Sequence, residues 1–389
     1  MTQTIGAGEE QVTWRDPKRY LWLLGLVIPL FPFICYGLVK VTGWSVMWLA
    51  GAATIYVLVP LLEPLIGKDD ANPPQSVLAW LEADHYYRWC TYLYVPLQYA
   101  GLVFGCWVIS SGDIAVGWRI VLAITCGGVA GIGINTAHEL GHKKESVERW
   151  LSKINLAQTC YGHFFIEHNR GHHVRVATPD DPASARLGES FWRFWPRTVS
   201  GSLRSAWHLE KKRLARSGKG PWTIKNDVLN AWLMSVVLFA ALAIAFGPGI
   251  LPYLVAQAIF GFSLLEVINY TEHYGLGRER TPSGRYERCA PKHSWNSDNV
   301  VTNILLYHLQ RHSDHHANPT RRYQALRNFD EAPELPTGYA GMILMAYFPP
   351  IWRRVMDKRV IDHYGGDVTR ANIQPSKRDA ILARYGHAA

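Results

Sequence analysis

The stretch RIVLAITCGGVAGIGINTAHELGH, residues 119–142, decides how the chain is read. It leaves Arg119, runs without charge to Ala137, and turns directly into a histidine motif, His138-Glu-Leu-Gly-His142. At about 1.5 Å of rise per residue, an uncharged run of this length matches the roughly 30 Å hydrocarbon core of a bilayer. One helix therefore crosses lipid and delivers imidazoles at its end.

Working outward, five more runs have the same character. Residues 20–39 (YLWLLGLVIPLFPFICYGLV) and 92–110 carry no charge, and 45–66 is apolar apart from Glu63. Residues 231–247 and 249–268 form a pair around Gly247-Pro248-Gly249. Pro29 and Pro32 would break a soluble helix, but neighbouring helices make such kinks tolerable in lipid. The first run is too long for a signal peptide and lacks a small-residue cleavage site. A weaker segment, 334–356, is apolar but interrupted by Pro336, Pro349 and Pro350, and reads as an interfacial or re-entrant piece.

The charges then orient the spans. The chain has 40 Lys+Arg against 31 Asp+Glu, a formal charge of +9. Sixteen of the Lys/Arg fall in 138–227, and Arg15, Lys18 and Arg19 precede the first run, whereas the connections 40–44, 111–118 and 247–249 hold only Lys40. The positive-inside rule makes both termini and 138–227 cytoplasmic, so the basic excess reads as topology before nucleic-acid binding. The long polar segments account for a mean hydropathy of −0.05. With 48% apolar residues the chain is not disordered, and six Cys without a CxxC make no disulfide scaffold.

The expected fold is an all-α integral membrane protein of about six transmembrane helices with a cytoplasmic, histidine-rich cap holding a metal site. Its parts are a cytoplasmic segment 1–19, four spans in 20–137, a cytoplasmic segment 138–227 with two histidine boxes, two spans in 228–269, and a cytoplasmic segment 270–389 with His273 and a third box.

Nine of the 16 His are clustered. They are His138 and His142; His168, His172 and His173; His273; and His312, His315 and His316. Helical spacings of three and four put His138/His142, His168/His172 and His312/His315/His316 each on one face, able to offer two or three nitrogens to one metal. All four groups can meet at one membrane face. That is too many ligands for one zinc, which takes three or four, and it suits two ions. Imidazole alone does not choose among Zn, Cu, Fe and Ni. A lone His is usually a surface or satisfied core residue, so His85, His163, His208, His293, His308, His363 and His387 are read as non-ligands. His308 and His163 are the nearest to the boxes.

Two other readings compete. His138-Glu139-x-x-His142 also fits the H-E-x-x-H of a zinc metalloprotease, with Glu139 as general base, but that leaves most of the clustered His without a task. A metal transporter would carry ionisable groups through the spans, which here are nearly free of them.

The boxes Hx3H, Hx3HH and Hx2HH resemble those of the integral-membrane fatty acid desaturase and hydroxylase superfamily. The fuller strings around Asn135–Glu145, Glu167–His173, Asn269–Leu276 and Leu309–Ala317 resemble the alkane 1-monooxygenases, with the Asn-Tyr-Thr-Glu-His273-Tyr-Gly block separating them from desaturases. The likeness runs from about Tyr20 to about Tyr385. It implies a non-haem di-iron enzyme that uses O2 and electrons from rubredoxin, itself served by a reductase, to hydroxylate the terminal carbon of medium- to long-chain n-alkanes. The implied ligands are His138, His142, His168, His172, His173, His273, His312, His315 and His316. The absence of paired CxxC motifs places rubredoxin outside this sequence. Carboxylates expected to orient the rings by accepting their free N–H are Glu139, Glu167, Glu272 and Asp314. An alkane offers only apolar surface, so a narrow tunnel of Leu, Ile, Val, Phe and Trp ending under the metals is expected, with the chain end presented by geometry.

Overall fold

The computed structural model describes residues 3–5 and 12–386; His387 lies outside them. Apart from a short antiparallel pairing of Gln3–Ile5 with Val12–Trp14, the regular structure among the described residues is helical. Six helices are long and apolar enough to cross a bilayer: Leu21–Thr42, Ser45–Ile66, His85–Ser111, Val116–Gly141, Asp227–Phe246 and Pro248–Glu272. They are called the first to sixth spans. Each contains or closely overlaps the run expected from sequence. The chain is an all-α membrane protein with a histidine-rich cap at one end of the bundle.

The prolines leave local marks. The first span is a tight 3-10 helix over Leu21–Leu30, around Pro29, and becomes regular from Phe31. The second bulges into a π-turn at Thr54–Leu58, where the Val59 amide reaches back to the Thr54 carbonyl. Pro60 follows directly and has no N–H to offer the Tyr56 carbonyl, so the regular ladder is broken there.

The fourth span is the axis of the molecule and is buried along most of its length. It crosses the sixth in backbone contact. A Cβ on Gly127 would lie 2.6 Å from the Gln257 carbonyl oxygen, and one on Gly131 would lie 2.6 Å from that of Gly261. Lipid tails are as apolar as Leu, so helices in lipid are held by close packing, and small residues four apart permit it.

The segment 138–227 does not lie wholly outside the bundle. A helix at Ser146–Leu156 turns back and descends beside the fourth span. Ser152 Oγ donates to the Ala137 carbonyl (2.6 Å) and Asn155 Nδ2 to that of Gly133 (2.7 Å). Tyr99 of the third span donates to the Ile154 carbonyl, and Gln257 of the sixth to that of Gln158. Gly133 lies eight residues before the end of the fourth span, a depth of roughly 12 Å at 1.5 Å per residue. These side-chain bonds to main-chain carbonyls provide the polar partners that re-entrant backbone needs at that depth. The helix turns one apolar stripe outward, with Val147, Trp150 and Ile154 at 60%, 48% and 37% exposure, as expected of a surface that meets lipid.

The proline-interrupted segment also packs onto the bundle. Tyr339–Ala346 is a helix seated against the second and sixth spans, and beyond it Phe348 and Ile351 are exposed.

The glycine crossing yields a stability prediction. Gly127→Val should separate the fourth and sixth spans and lower stability by about 1–3 kcal/mol, the usual range for overpacking. Gly37→Ala, with nothing within 4 Å of its added Cβ, should be neutral. Thermal unfolding of both variants in detergent checks the contrast.

Candidate metal centre

The fourth span ends in His138, Gly141 and His142, and the sixth ends in Glu272 with His273 immediately after. Their close crossing therefore sets two histidine-bearing ends side by side. A short helix, Phe164–Glu167, climbs from the bottom of the re-entrant segment and passes into a π-turn at His168–His172. The third box is itself a helix, His312–Ala317.

All nine histidines converge, in two groups. His138, His142, His168, His173 and His315 form one; His172, His273, His312 and His316 form the other. Within each group the offered ligand atoms lie within 4.8 Å of one another. In the first, Nε2 of His315 lies 2.9 Å from that of His138 and 3.1 Å from that of His173, which lies 3.0 Å from that of His168. In the second, Nε2 of His312 lies 2.9 Å from that of His316 and 3.2 Å from that of His273.

The grouping corrects the face-by-face expectation. His138/His142 and His312/His316, each in a regular helix, stay together at i,i+4. His168 and His172 do not. Their turn is π-helical, with the His173 amide reaching back to the His168 carbonyl, so His168 is joined by His173, five residues on. His172 is turned to the second group, and His315 to the first. The glycine of His168-Asn-Arg-Gly-His172-His173 leaves room for the Glu167 carboxylate, which would lie 2.4 Å from a Cβ on Gly171.

Metal ions fit this donor set. At most one proton can sit between two Nε2 atoms 3 Å apart, and here such contacts form chains. Nε2 of His142 and His172 are buried with no hydrogen-bond partner. Burial, reinforced by neighbouring imidazoles, holds His142, His168, His173, His312, His315 and His316 well below the usual imidazole range, and His273 falls to about 3. Rings held neutral keep the lone pair a metal needs.

His172 is the exception. Burial opposes its charged form too, but Asp181 overrides this and raises it. Asp181 Oδ2 lies 2.8 Å from His172 Nδ1 and accepts from Ser184 Oγ at 2.6 Å. Against its own burial, Asp181 is drawn down to about 2, chiefly by His172. It orients the ring by taking the N–H on the side away from the other imidazoles. Sequence reasoning passed over it because it sits nine residues beyond His172, in the loop Thr178-Pro-Asp-Asp181-Pro; an acid pair in a turn just after a box was the available signal. The His293 carbonyl does the same service for His273 Nδ1, at 3.2 Å.

The four carboxylates expected to orient rings have varied surroundings. Glu272 Oε2 lies 3.2 Å from His312 Nε2, on the side where the imidazoles of its group meet, and its other oxygen accepts from the Tyr339 hydroxyl at 2.9 Å. Glu167 pairs with Arg175 at 2.6 Å. Glu139 pairs with Lys143 at 2.9 Å and accepts from the Tyr323 amide. Asp314 is bound by Arg321, Asn318 and the Arg327 amide, and so braces the loop after the third box. With Glu139 committed to Lys143, the protease reading loses its general base.

Of the remaining His, His308 stands apart from both groups, with Nδ1 against the Tyr323 carbonyl and its ring on Trp22. His163 is buried against Tyr161, and His293 contacts Glu287.

Beneath the two groups lies a cavity of about 880 Å³. Its walls are mostly Ile, Leu and Val side chains with Phe164, drawn from the second, fourth and sixth spans and from residues 305–309 and 340–343; Asn135, Asn269 and Glu272 border it near the imidazoles, and Trp is not among the lining residues. Its end is closed by His138, His168 and His312, which come from both groups. A smaller apolar space of about 290 Å³ lies between Phe31, Gly128 and Phe260, separate from the first but sharing Ile55, the residue common to both linings.

Residues 116–346, which hold the fourth span and all nine clustered histidines, match the family model "Fatty acid desaturase". Over 371 residues the chain is 49% identical to alkane 1-monooxygenase 1 of Alcanivorax borkumensis, covering 95% of this chain and 92% of the relative. It is 48% identical to alkane 1-monooxygenase of Acinetobacter baylyi and 47% identical to that of Ectopseudomonas oleovorans, with the same coverage. Two groups of buried or half-buried imidazoles above a largely apolar cavity, and relatives alike over almost their whole length, lead to one conclusion: the chain belongs to the alkane 1-monooxygenases, within the broader fatty acid desaturase family.

Proposed function

We propose that the chain is a non-haem di-iron monooxygenase that hydroxylates the terminal carbon of medium- to long-chain n-alkanes. The balance is alkane plus O2, two electrons and two protons to 1-alkanol plus water. The electrons come from rubredoxin, which its reductase recharges. The enzyme sits in the bacterial inner membrane with both termini and the histidine cap in the cytoplasm. The observation that carries this reading is an apolar cavity, set among membrane spans, that ends on imidazoles from two separate metal-holding groups.

The nine clustered histidines would hold the irons, the group of five one ion and the group of four the other. When bound, the irons supply the oxidising power toward an inert C–H bond that no side chain can provide. The protein's own contribution is placement. An alkane has no group to hydrogen-bond, so the cavity holds it by apolar contact, worth about 0.8 kcal/mol per buried CH2. A chain entering lengthwise meets the imidazoles with its end, and internal carbons stay farther away. Orientation thus selects the terminal carbon although its C–H bonds are the strongest. The low-dielectric wall excludes water, while Asp181 and the His293 carbonyl fix His172 and His273 in one orientation. The half-buried His142 and His173 belong to the five-histidine group, which makes that group the nearer to the cap surface.

Metal analysis with an alkane hydroxylation assay, on detergent-purified protein supplied with rubredoxin and its reductase, tests the reading. Two irons per chain and 1-alkanol product are expected; a single zinc would overturn it. His273→Ala should leave about one iron per chain and abolish turnover. Asp181→Asn keeps the shape but loses the charged acceptor, and should weaken iron binding about 10–100-fold, as is usual when a ligand's outer partner is lost. Titration with an iron chelator reads this directly. Ile55→Trp should close off the lower space and shift preference to shorter alkanes, and Ile55→Ala should do the reverse, as read from product yields across a chain-length series.

A further inference from the structure

A second built cavity lies on the outer side of the re-entrant helix, away from the metal groups. It is a hollow open to the surface between Arg149, Trp150, Lys153, Phe165, Arg170 and Asp227. Asp227 is the first residue of the fifth span, so the cavity sits where that helix enters the membrane, at headgroup depth. We propose that it seats the phosphate of an anionic phospholipid.

The charge balance favours an anion. Lys153 Nζ lies 2.7 Å from Asp227, and Arg170 reaches Glu210 at 2.7 Å and Asp227 at 3.6 Å. Arg213 pairs with the same Glu210 at 2.7 Å. Arg149 is exposed and has no carboxylate within ion-pair distance among the described residues. Three cations thus share two carboxylates, and Arg149 is a fourth without one. Glu148, next to Arg149, does not restore the balance, because it is buried and turned inward onto Arg322 at 2.8 Å.

The apolar surroundings point to lipid as the source of that anion. Trp150 forms part of the wall, with Lys153 Nζ 5.0 Å from its ring centre, and it belongs to the outward stripe of Val147, Trp150 and Ile154. Leu233 and Val237, on the span that begins at Asp227, are exposed as well. A phosphodiester held by Arg149 and Arg170 would lay its acyl chains along this apolar surface, with Trp150 at the boundary where indoles are enriched. Free phosphate would use only the cationic half. Phe165 and Arg170 flank His168, so an occupant here would rest against the turn that carries ligands of both groups.

The test is native mass spectrometry of the full chain exchanged from nanodiscs of phosphatidylcholine alone, or of phosphatidylcholine with phosphatidylglycerol. The protein should retain one phosphatidylglycerol in preference to phosphatidylcholine. Arg149→Ala, a surface change, should reduce that retention about tenfold, in line with loss of one charge-assisted hydrogen bond. Lys144→Ala, an exposed cation outside the cavity, should not. Equal retention of both lipids, or retention unaffected by Arg149→Ala, would overturn the proposal. So would displacement of the lipid by millimolar inorganic phosphate, which would make this a site for free anions.

Discussion

Everything in this molecule depends on bringing nine imidazoles from four stretches of chain together into two compact groups. Rings cannot meet unless the backbones that carry them do. The fourth and sixth spans deliver His138, His142 and His273, and they approach until carbonyl oxygens fill the places where side chains would stand, at Gly127 and Gly131. The re-entrant hairpin wedges against the same pair, with Thr159 on Gly261 and Asn155 on Gly133. The metal centre is thus a consequence of helix packing below it. The apolar cavity lies between the same spans, directly under their histidine-bearing ends.

The environment of the rings follows from that placement. Removed from water, an imidazole favours its neutral form, and each neighbouring imidazole adds to the cost of charging it. A group of acids would have needed protons or counter-charges at this depth; a group of imidazoles needs only metal. The carboxylates are accordingly kept to the outside of the cluster. Asp181 holds a far nitrogen, and Glu139, Glu167 and Asp314 are tied to Lys143, Arg175 and Arg321. Glu272 alone faces the inner side, and it also borders the cavity.

Much of this was legible in the sequence, and the rest was hidden for physical reasons. Uncharged runs of bilayer length announce spans, because no other environment demands them. The clustered histidines were equally visible. The re-entrant helix was not. Ser146–Leu156 contains Glu148, Arg149 and Lys153, and its apolar residues recur at helical spacing, so it reads as an ordinary amphipathic surface helix. Only the structure shows that its polar face is turned inward onto main-chain carbonyls. The division of the histidines was hidden as well, since spacing of four implies a shared face only in a regular helix, and the π-turn at His168–His172 removes that premise. Asp181 was missed because an orienting acid needs proximity in space, and a loop supplied it.

The two adjacent pairs, His172-His173 and His315-His316, each straddle the division, sending one ring to each group. Consecutive Cα atoms are about 3.8 Å apart whatever the chain does around them. The gap between the two histidine groups is thereby bridged by covalent bonds at two separate places, like a pair of rungs between rails. Swelling of the cap or thinning of the surrounding lipid can tilt the assembly as a whole, but the two groups stay tethered to each other at both places.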